Sequence, residues 1–73
     1  MSGKESKEER FRRIAEARTN AIIERLRLLG NLANKHLYSY SEEDVSKMFA
    51  AIERQLKIVR SKFSDEKRVR FKF

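Results

Sequence analysis

Residues 41–63, SEEDVSKMFAAIERQLKIVRSKF, decide the fold of this chain. At about 100° per residue, their apolar side chains fall within an arc about 100° wide, the pattern of an amphipathic helix. The members of this apolar stripe are Val45, Met48, Phe49, Ile52, Leu56, Val59 and Phe63. Ser41 offers a hydroxyl N-cap, with Asp44 in the capping-box position and three acids in the first turn to meet the positive helix end. The pattern predicts a helix over about 42–63.

A second amphipathic helix is predicted upstream, over about 6–29. Its apolar side chains cover a wider arc, about 160°. They are Phe11, Ile14, Ala15, Ala21, Ile22, Leu26, Leu28 and Leu29. Gly30 suits a left-handed C-cap, but Leu32 and Ala33 continue the same arc. The helix could therefore end at the glycine or run through it to about residue 34.

The two helices suit an antiparallel hairpin, because folding the chain back at the 30–41 connection brings the two apolar arcs face to face. The facing pairs are Leu29 with Val45, Ile22 with Ile52, and Phe11 with Phe63. In a chain of 73 residues, apolar burial and the cost of ordering nearly balance, so we expect a second copy to complete a four-helix arrangement. The fold class is predicted as all-α, with residues 1–73 forming one small helical domain.

Within the tail, residues 64–73, the last seven residues, 67–73, alternate with the period of a β-strand rather than a helix. Arg68, Arg70 and Lys72 fall on one side, and Val69, Phe71 and Phe73 fall on the other. Three interpretations stay open: the basic side binds phosphates, the segment adds a strand to the sheet edge of a partner, or it is a disordered basic tail.

Composition narrows the function classes. Eighteen Lys and Arg stand against 11 Asp and Glu, a formal charge of +7, with no cysteine and one histidine. Disulfides and a structural zinc site are excluded, and the sole histidine, His36, sits in the polar connection with no cysteine to pair with, so we predict a non-enzyme without cofactor or metal. The basic N-terminal segment leads into no long apolar run, so we expect a cytoplasmic protein that does not enter a membrane.

One face of the second helix carries aligned basic side chains. Lys47, Arg54 and Lys57 lie opposite the apolar stripe, with small Ala50 and Ser61 between them. Phosphates could lie along this face, although basic residues on an outer helix face are also the ordinary solvated surface of a helix.

Arg18 and Arg25 stand in the middle of the apolar arc of the first helix, where arginine is rare. Their stems could pack while their heads reach Glu53, Gln55 or an acid of a second copy, which would fix the register of the pairing. Alternatively, a groove presents both guanidinium groups to an external carboxylate or phosphate, or the heads reach solvent at the edge of the arc.

Several motifs carry a resemblance to a known group. They are Gly30-Asn31-Leu32-Ala33-Asn34-Lys35, Tyr38-Ser39-Tyr40-Ser41-Glu42-Glu43-Asp44-Val45 with Phe49, Phe11-Arg12-Arg13 and Ala17-Arg18. Together they make most of the chain resemble small uncharacterised helical proteins of bacteria and their mobile elements. The resemblance implies a bacterial or phage-type cytosolic origin and no site residue, and it favours accessory roles such as regulating element genes or blocking a host defence protein.

Two function hypotheses follow. The first is a small non-enzymatic nucleic-acid-associated accessory protein that binds the phosphate backbone by charge. Its contact residues are Lys47, Arg54, Lys57, Arg68, Arg70 and Lys72. The alternative is a protein-partner module, an adaptor or inhibitor that engages an acidic protein surface. Its contact residues are Arg18, Arg25, Val69, Phe71 and Phe73.

Overall fold

The computed structural model describes residues 4–64 and divides into two compact units, residues 1–39 and 40–73. Helix α1, Lys7–Gly30, continues into a short 3₁₀ helix, Asn31–Ala33, and the second unit holds helix α2, Glu42–Ser61. Residues 4–64 contain no strand, so the all-α prediction is confirmed for that part of the chain. The antiparallel pairing and the second copy stay predictions, and the strand predicted within the tail lies outside the described residues.

Helix α1 begins with a capping box. The Ser6 hydroxyl accepts a hydrogen bond from the Glu9 backbone N–H at 3.0 Å, and the Ser6 N–H donates to Glu9 Oε1 at 2.9 Å. These two bonds satisfy backbone donors that a helix start leaves unpaired. The box lies at the predicted start of the helix, and the spacing Ser-x-x-Glu from Ser6 to Glu9 is its sequence signature.

Gly30 is an ordinary helical residue in this chain. Its φ and ψ are −62° and −24°, so the left-handed cap considered from the sequence is wrong, and the alternative that the helix continues through the glycine is confirmed. The continuation is a tighter 3₁₀ turn, Asn31–Ala33, which carries Leu32 and Ala33. A side chain at Gly30 would meet nothing within 4 Å, so neither conformation nor space requires glycine here.

Helix α2 starts as predicted and ends two residues earlier. The Ser41 hydroxyl accepts from the Asp44 N–H at 3.0 Å, and the Ser41 N–H donates to Asp44 Oδ2 at 3.1 Å. At the other end, the Lys62 N–H donates to the Val59 carbonyl at 3.0 Å, a bond between residues three apart. The predicted final residues 62 and 63 therefore form a tight turn rather than α-helix.

The connection after α1 is ordered by one asparagine. Asn34 Oδ1 accepts from the His36 N–H at 2.9 Å, and the Asn34 carbonyl accepts from the N–H groups of Leu37 and Tyr38 at 3.1 and 3.0 Å. An asparagine that bonds to its own backbone two residues on makes a defined turn without glycine or proline.

The described residues include none that is buried, so each helix carries its apolar face largely in the open. The half-buried aliphatic positions are Ile14, Ala15, Leu29, Val45, Met48 and Ile52. On the same faces Ile22 is 61% exposed and Leu56 is 63% exposed. Most of the stability of a helix in a protein comes from packing of its apolar face, so we expect both faces to be covered by another surface.

Candidate nucleic-acid interface

Charge is distributed unevenly along α2. Glu42, Glu43 and Asp44 occupy its first turn, and Glu53 is its last acid. Residues 54–64 contain four basic residues and no acid. These basic residues are Arg54, Lys57, Arg60 and Lys62. Acids at the start and cations at the end both suit the helix dipole, and they give the second unit a positively charged end.

The basic face predicted from the sequence lies on α2, opposite the apolar stripe. Lys47, Arg54 and Lys57 are all exposed. Lys47 Nζ lies 3.7 Å from Glu43 Oε2, with the two side chains 76% and 77% exposed, and such exposed pairs are weak. Arg54 and Lys57 form no ion pair with any residue from 4 to 64. The helix therefore brings three basic side chains to one side, and two of them form no ion pair with a described residue.

Small residues separate these basic side chains. Ala50 and Ala51 are exposed, and Ser61 Oγ donates to the Ile58 carbonyl at 2.7 Å, so its hydroxyl folds back onto the helix. The surface between the long basic side chains is therefore low, and an approaching molecule can come close to the helix backbone.

Two further basic residues, Arg60 and Lys62, belong to the same charged end and were not among the predicted contacts. Neither forms an ion pair with another described residue. The signal that identifies them is the absence of any acid between Glu53 and Asp65 in the sequence. Helical periodicity alone does not group them with the basic face, because Arg60 lies beside the apolar stripe and Lys62 follows the end of α2.

Three arginines of helix α1 form ion pairs with nearby glutamates. Arg13 donates from Nε to Glu5 Oε2 at 2.7 Å and from Nη2 to Glu5 Oε1 at 3.0 Å, a bidentate pair. This hydrogen bonding holds the pKa of Glu5 below its ordinary value, and the carboxylate raises the pKa of Arg13.

Two more pairs lie on the same helix. Arg27 Nε donates to Glu24 Oε1 at 3.1 Å, and this pair lowers the pKa of Glu24 through the hydrogen bond from the guanidinium. Arg12 Nη2 lies 3.4 Å from Glu8 Oε2. Three arginines of α1 thus have an acidic partner within their own unit.

Arg18 and Arg25 differ from these three. Both are exposed, and neither forms an ion pair with another described residue. They lie among apolar residues that are themselves exposed, including Ile22 at 61%. The face therefore combines apolar surface with two guanidinium groups.

The remaining predicted contacts belong to the tail. Arg68, Arg70, Lys72, Val69, Phe71 and Phe73 lie outside the residues that the structure describes. Among the aromatic rings of the described residues, Tyr38 is 47% exposed and Tyr40 is half-buried, and both precede α2 rather than lie on its basic face.

Residues 4–64 contain neither a cluster of metal ligands nor a helix that could span a membrane. No three His, Asp or Glu side chains of this part gather closely enough to hold a metal ion. No helix in the described part combines the length and the apolar character that crossing a bilayer requires. The prediction that the chain is not an enzyme stays a prediction.

Comparison with known proteins gives no further information on these residues. The resemblance to small bacterial and mobile-element proteins stays a prediction. No family model, no curated protein and no solved structure matches this chain.

Proposed function

We propose that the chain is a small non-enzymatic, nucleic-acid-associated accessory protein of the cytoplasm that binds phosphate backbones by charge. The observation that supports this best is the basic end of α2 and the turn after it. There, four basic side chains stand without an acid and without an ion pair to any residue from 4 to 64. Positive charge that the protein does not neutralise itself is available to an external polyanion.

The proposed contacts combine this end of α2 with the sequence of the tail. They are Lys47, Arg54, Lys57, Arg60, Lys62, Arg68, Arg70 and Lys72. Each phosphate that they neutralise releases condensed counterions, so binding weakens steeply as salt rises. Contacts of this kind position a protein on nucleic acid without selecting a base sequence.

The proposal includes the antiparallel pairing of α1 with α2 and a second copy that completes a four-helix arrangement. Its support is the apolar surface on both helices, since Ile22 and Leu56 are each more than half exposed. Covering these faces would remove that surface from water. A two-copy assembly would also present the basic set twice, which raises the affinity for one nucleic-acid molecule.

A salt titration of binding tests the proposal. The protein is titrated onto mixed-sequence duplex DNA, single-stranded DNA and RNA over a range of salt, with the mass of the complex measured by light scattering. We expect a stoichiometric complex with submicromolar affinity near physiological salt and a slope of about −0.9 per phosphate contact on duplex DNA. Binding that disappears before physiological salt would reject the proposal.

A pair of double variants separates the basic face from net charge. Arg54→Gln with Lys57→Gln removes two unpaired charges, so we expect the salt slope on duplex DNA to become shallower by about 1.8. Arg12→Gln with Arg27→Gln removes the same charge from α1, where Glu8 and Glu24 already neutralise it, and should change the slope little. Equal effects of the two double variants would show that net charge alone governs binding.

A second candidate function is a protein-partner module that engages an acidic protein surface. The observation that favours it is the α1 face on which Arg18 and Arg25 stand exposed among exposed apolar residues. Arginines and apolar groups in one patch suit a partner that offers both carboxylates and apolar side chains.

The two candidates separate in one experiment on nuclease-treated cell extract. A stoichiometric protein complex that survives nuclease, persists in Arg54→Gln/Lys57→Gln and is lost in Arg18→Glu/Arg25→Glu would select the partner module. A complex that nuclease destroys would favour nucleic acid.

A further inference from the structure

The outer face of α2 has a shape that phosphate binding alone does not need. Lys47, Arg54 and Lys57 project from it, while Ala50 and Ala51 keep the surface between and beside them low. An α-helix with its side chains is about 10–12 Å across, and alanines at the contact make one side narrower than that. The major groove of B-form DNA is about 12 Å wide and about 8.5 Å deep, and it admits a helix.

From these observations we infer that the outer face of α2 enters the major groove of duplex DNA. The inference rests on the proposed function, which it deepens by naming the nucleic acid and the groove. The long basic side chains reach the phosphates that border the groove, and the alanines let the helix backbone approach the base edges. An A-form RNA duplex has a major groove too narrow for this entry.

The distribution of charge decides which part of α2 lies in the groove. Glu42, Glu43 and Asp44 fill the first turn, and phosphates would repel an approach led by that end. The last acid is Glu53, which lies on the flank of the helix between the apolar stripe and the outer face, so a single acid borders the inserted segment. The inserted segment is therefore the second half of α2, from about Ala50 to Ser61, with Lys47 at its border.

One apolar residue on this face has no role in the apolar stripe. Ile58 lies beside Arg54 on the basic side of α2 and is 46% exposed. In the major groove, the methyl group of thymine is the apolar feature that such a side chain can contact. The isoleucine thus fits a base edge, whereas a surface that touched phosphates alone would gain nothing from it.

Single strands fit this face less well than a duplex does. Binding of unpaired bases relies on stacking against aromatic rings, and the only aromatic residue of α2 is Phe49, which lies in the apolar stripe. The outer face therefore lacks a stacking platform, and its shape favours a duplex.

The test blocks the groove without changing the phosphates. The full chain is titrated, at one salt concentration, onto plain duplex DNA, the same duplex with glucosylated 5-hydroxymethylcytosine filling its major groove, duplex RNA and single-stranded DNA. We expect each of the last three to bind about tenfold more weakly than plain duplex DNA, because none of them offers the helix an open B-form major groove. Equal binding to plain and glucosylated duplexes would overturn the inference.

A substitution on the outer face of α2 tests groove entry from the side of the protein. Ala50→Leu adds bulk to the outer face without altering charge or helix preference, so duplex DNA affinity should fall about tenfold while single-stranded DNA affinity stays within about twofold. Asn20→Leu adds the same side chain to the exposed polar side of α1 and should leave both affinities unchanged. Circular dichroism confirms that each variant keeps its helices.

The outcomes distinguish the inference from the function on which it rests. If every nucleic acid binds equally and with a steep salt slope, charge binding stands and groove entry is wrong. If none binds near physiological salt, both are wrong.

Discussion

Helices α1 and α2 differ in how many of their basic side chains form ion pairs with glutamates. In α1, Arg12, Arg13 and Arg27 each form an ion pair with a glutamate of the same unit. These three positive charges are therefore partly neutralised within that unit. In α2 the acids gather in the first turn and the basic residues follow them, with one weak pair between Lys47 and Glu43. Composition alone therefore does not locate a binding surface. The order of acidic and basic residues along each helix decides whether they form ion pairs with one another.

The apolar faces differ as well. The stripe of α2 is narrow and uninterrupted, as expected for a helix that packs against one neighbour. The arc of α1 is wider, and Arg18 and Arg25 stand in its middle. We therefore expect α2 to divide its surface cleanly between packing and binding, while α1 mixes polar and apolar contacts on one face.

The largest expected effect comes from placing a charge in the α2 stripe. Leu56→Asp should abolish the second-copy assembly and lower the free energy of unfolding by roughly 3 kcal/mol, because an unpaired carboxylate would replace apolar contact. Ile23→Asp is the control, because Ile23 is 57% exposed against 63% for Leu56 but lies outside the apolar arc of α1. Light scattering measures the assembly, and thermal melts measure the stability. Equal losses in the two variants would show that the apolar stripe of α2 contributes no more than any other exposed apolar position.

The two capping boxes give the next effect. Ser6→Ala and Ser41→Ala each remove one hydroxyl acceptor at a helix start, and each should cost about 1 kcal/mol. Amide hydrogen exchange locates the loss. If the helices pair as a hairpin, each substitution loosens the amides of both helices, whereas a loss confined to one helix would show that the two units fold independently.

A smaller change should stabilise α1. Gly30 has helical φ and ψ and open space where a Cβ would stand, so Gly30→Ala should add about 0.5–1 kcal/mol by reducing the freedom of the unfolded chain. The readout is the melting temperature. A decrease would mean that the glycine adopts another backbone conformation in solution.

The smallest effect is a pH dependence confined to α1, because the responsible pairs are exposed and screened. Hydrogen bonds from Arg13 and Arg27 lower the pKa of Glu5 and of Glu24 from the ordinary 4.5. The stabilisation is therefore fully present above that value and is lost as the pH falls through the lowered pKa, since the unfolded chain takes up protons first.

Carboxyl titration by NMR checks this prediction directly. Arg13→Gln should return the pKa of Glu5 to its ordinary range while the pKa of Glu24 stays low. An unchanged Glu5 titration in that variant would show that the ion pair does not form in solution.

Much of the fold and part of the candidate site were predictable from local rules. Apolar periodicity located both helices, and the spacing from Ser41 to Asp44 predicted the α2 capping box. The basic face of α2 also followed from periodicity, because side chains on an α-helix recur at a fixed angle. Gly30 shows where such rules stop, because glycine accepts both helical and left-handed backbone, and its neighbours decided between them.

The sequence by itself determined the helix positions, the apolar faces and the order of charges along α2, because each depends on residues within a turn or two of one another. Three-dimensional structure decided which charges are used internally. Arg13 reaches Glu5, eight positions away and before the helix begins, a contact that helical spacing does not predict. It also decided that Arg18 and Arg25 are exposed, because exposure depends on what lies around a side chain rather than on its place in a pattern.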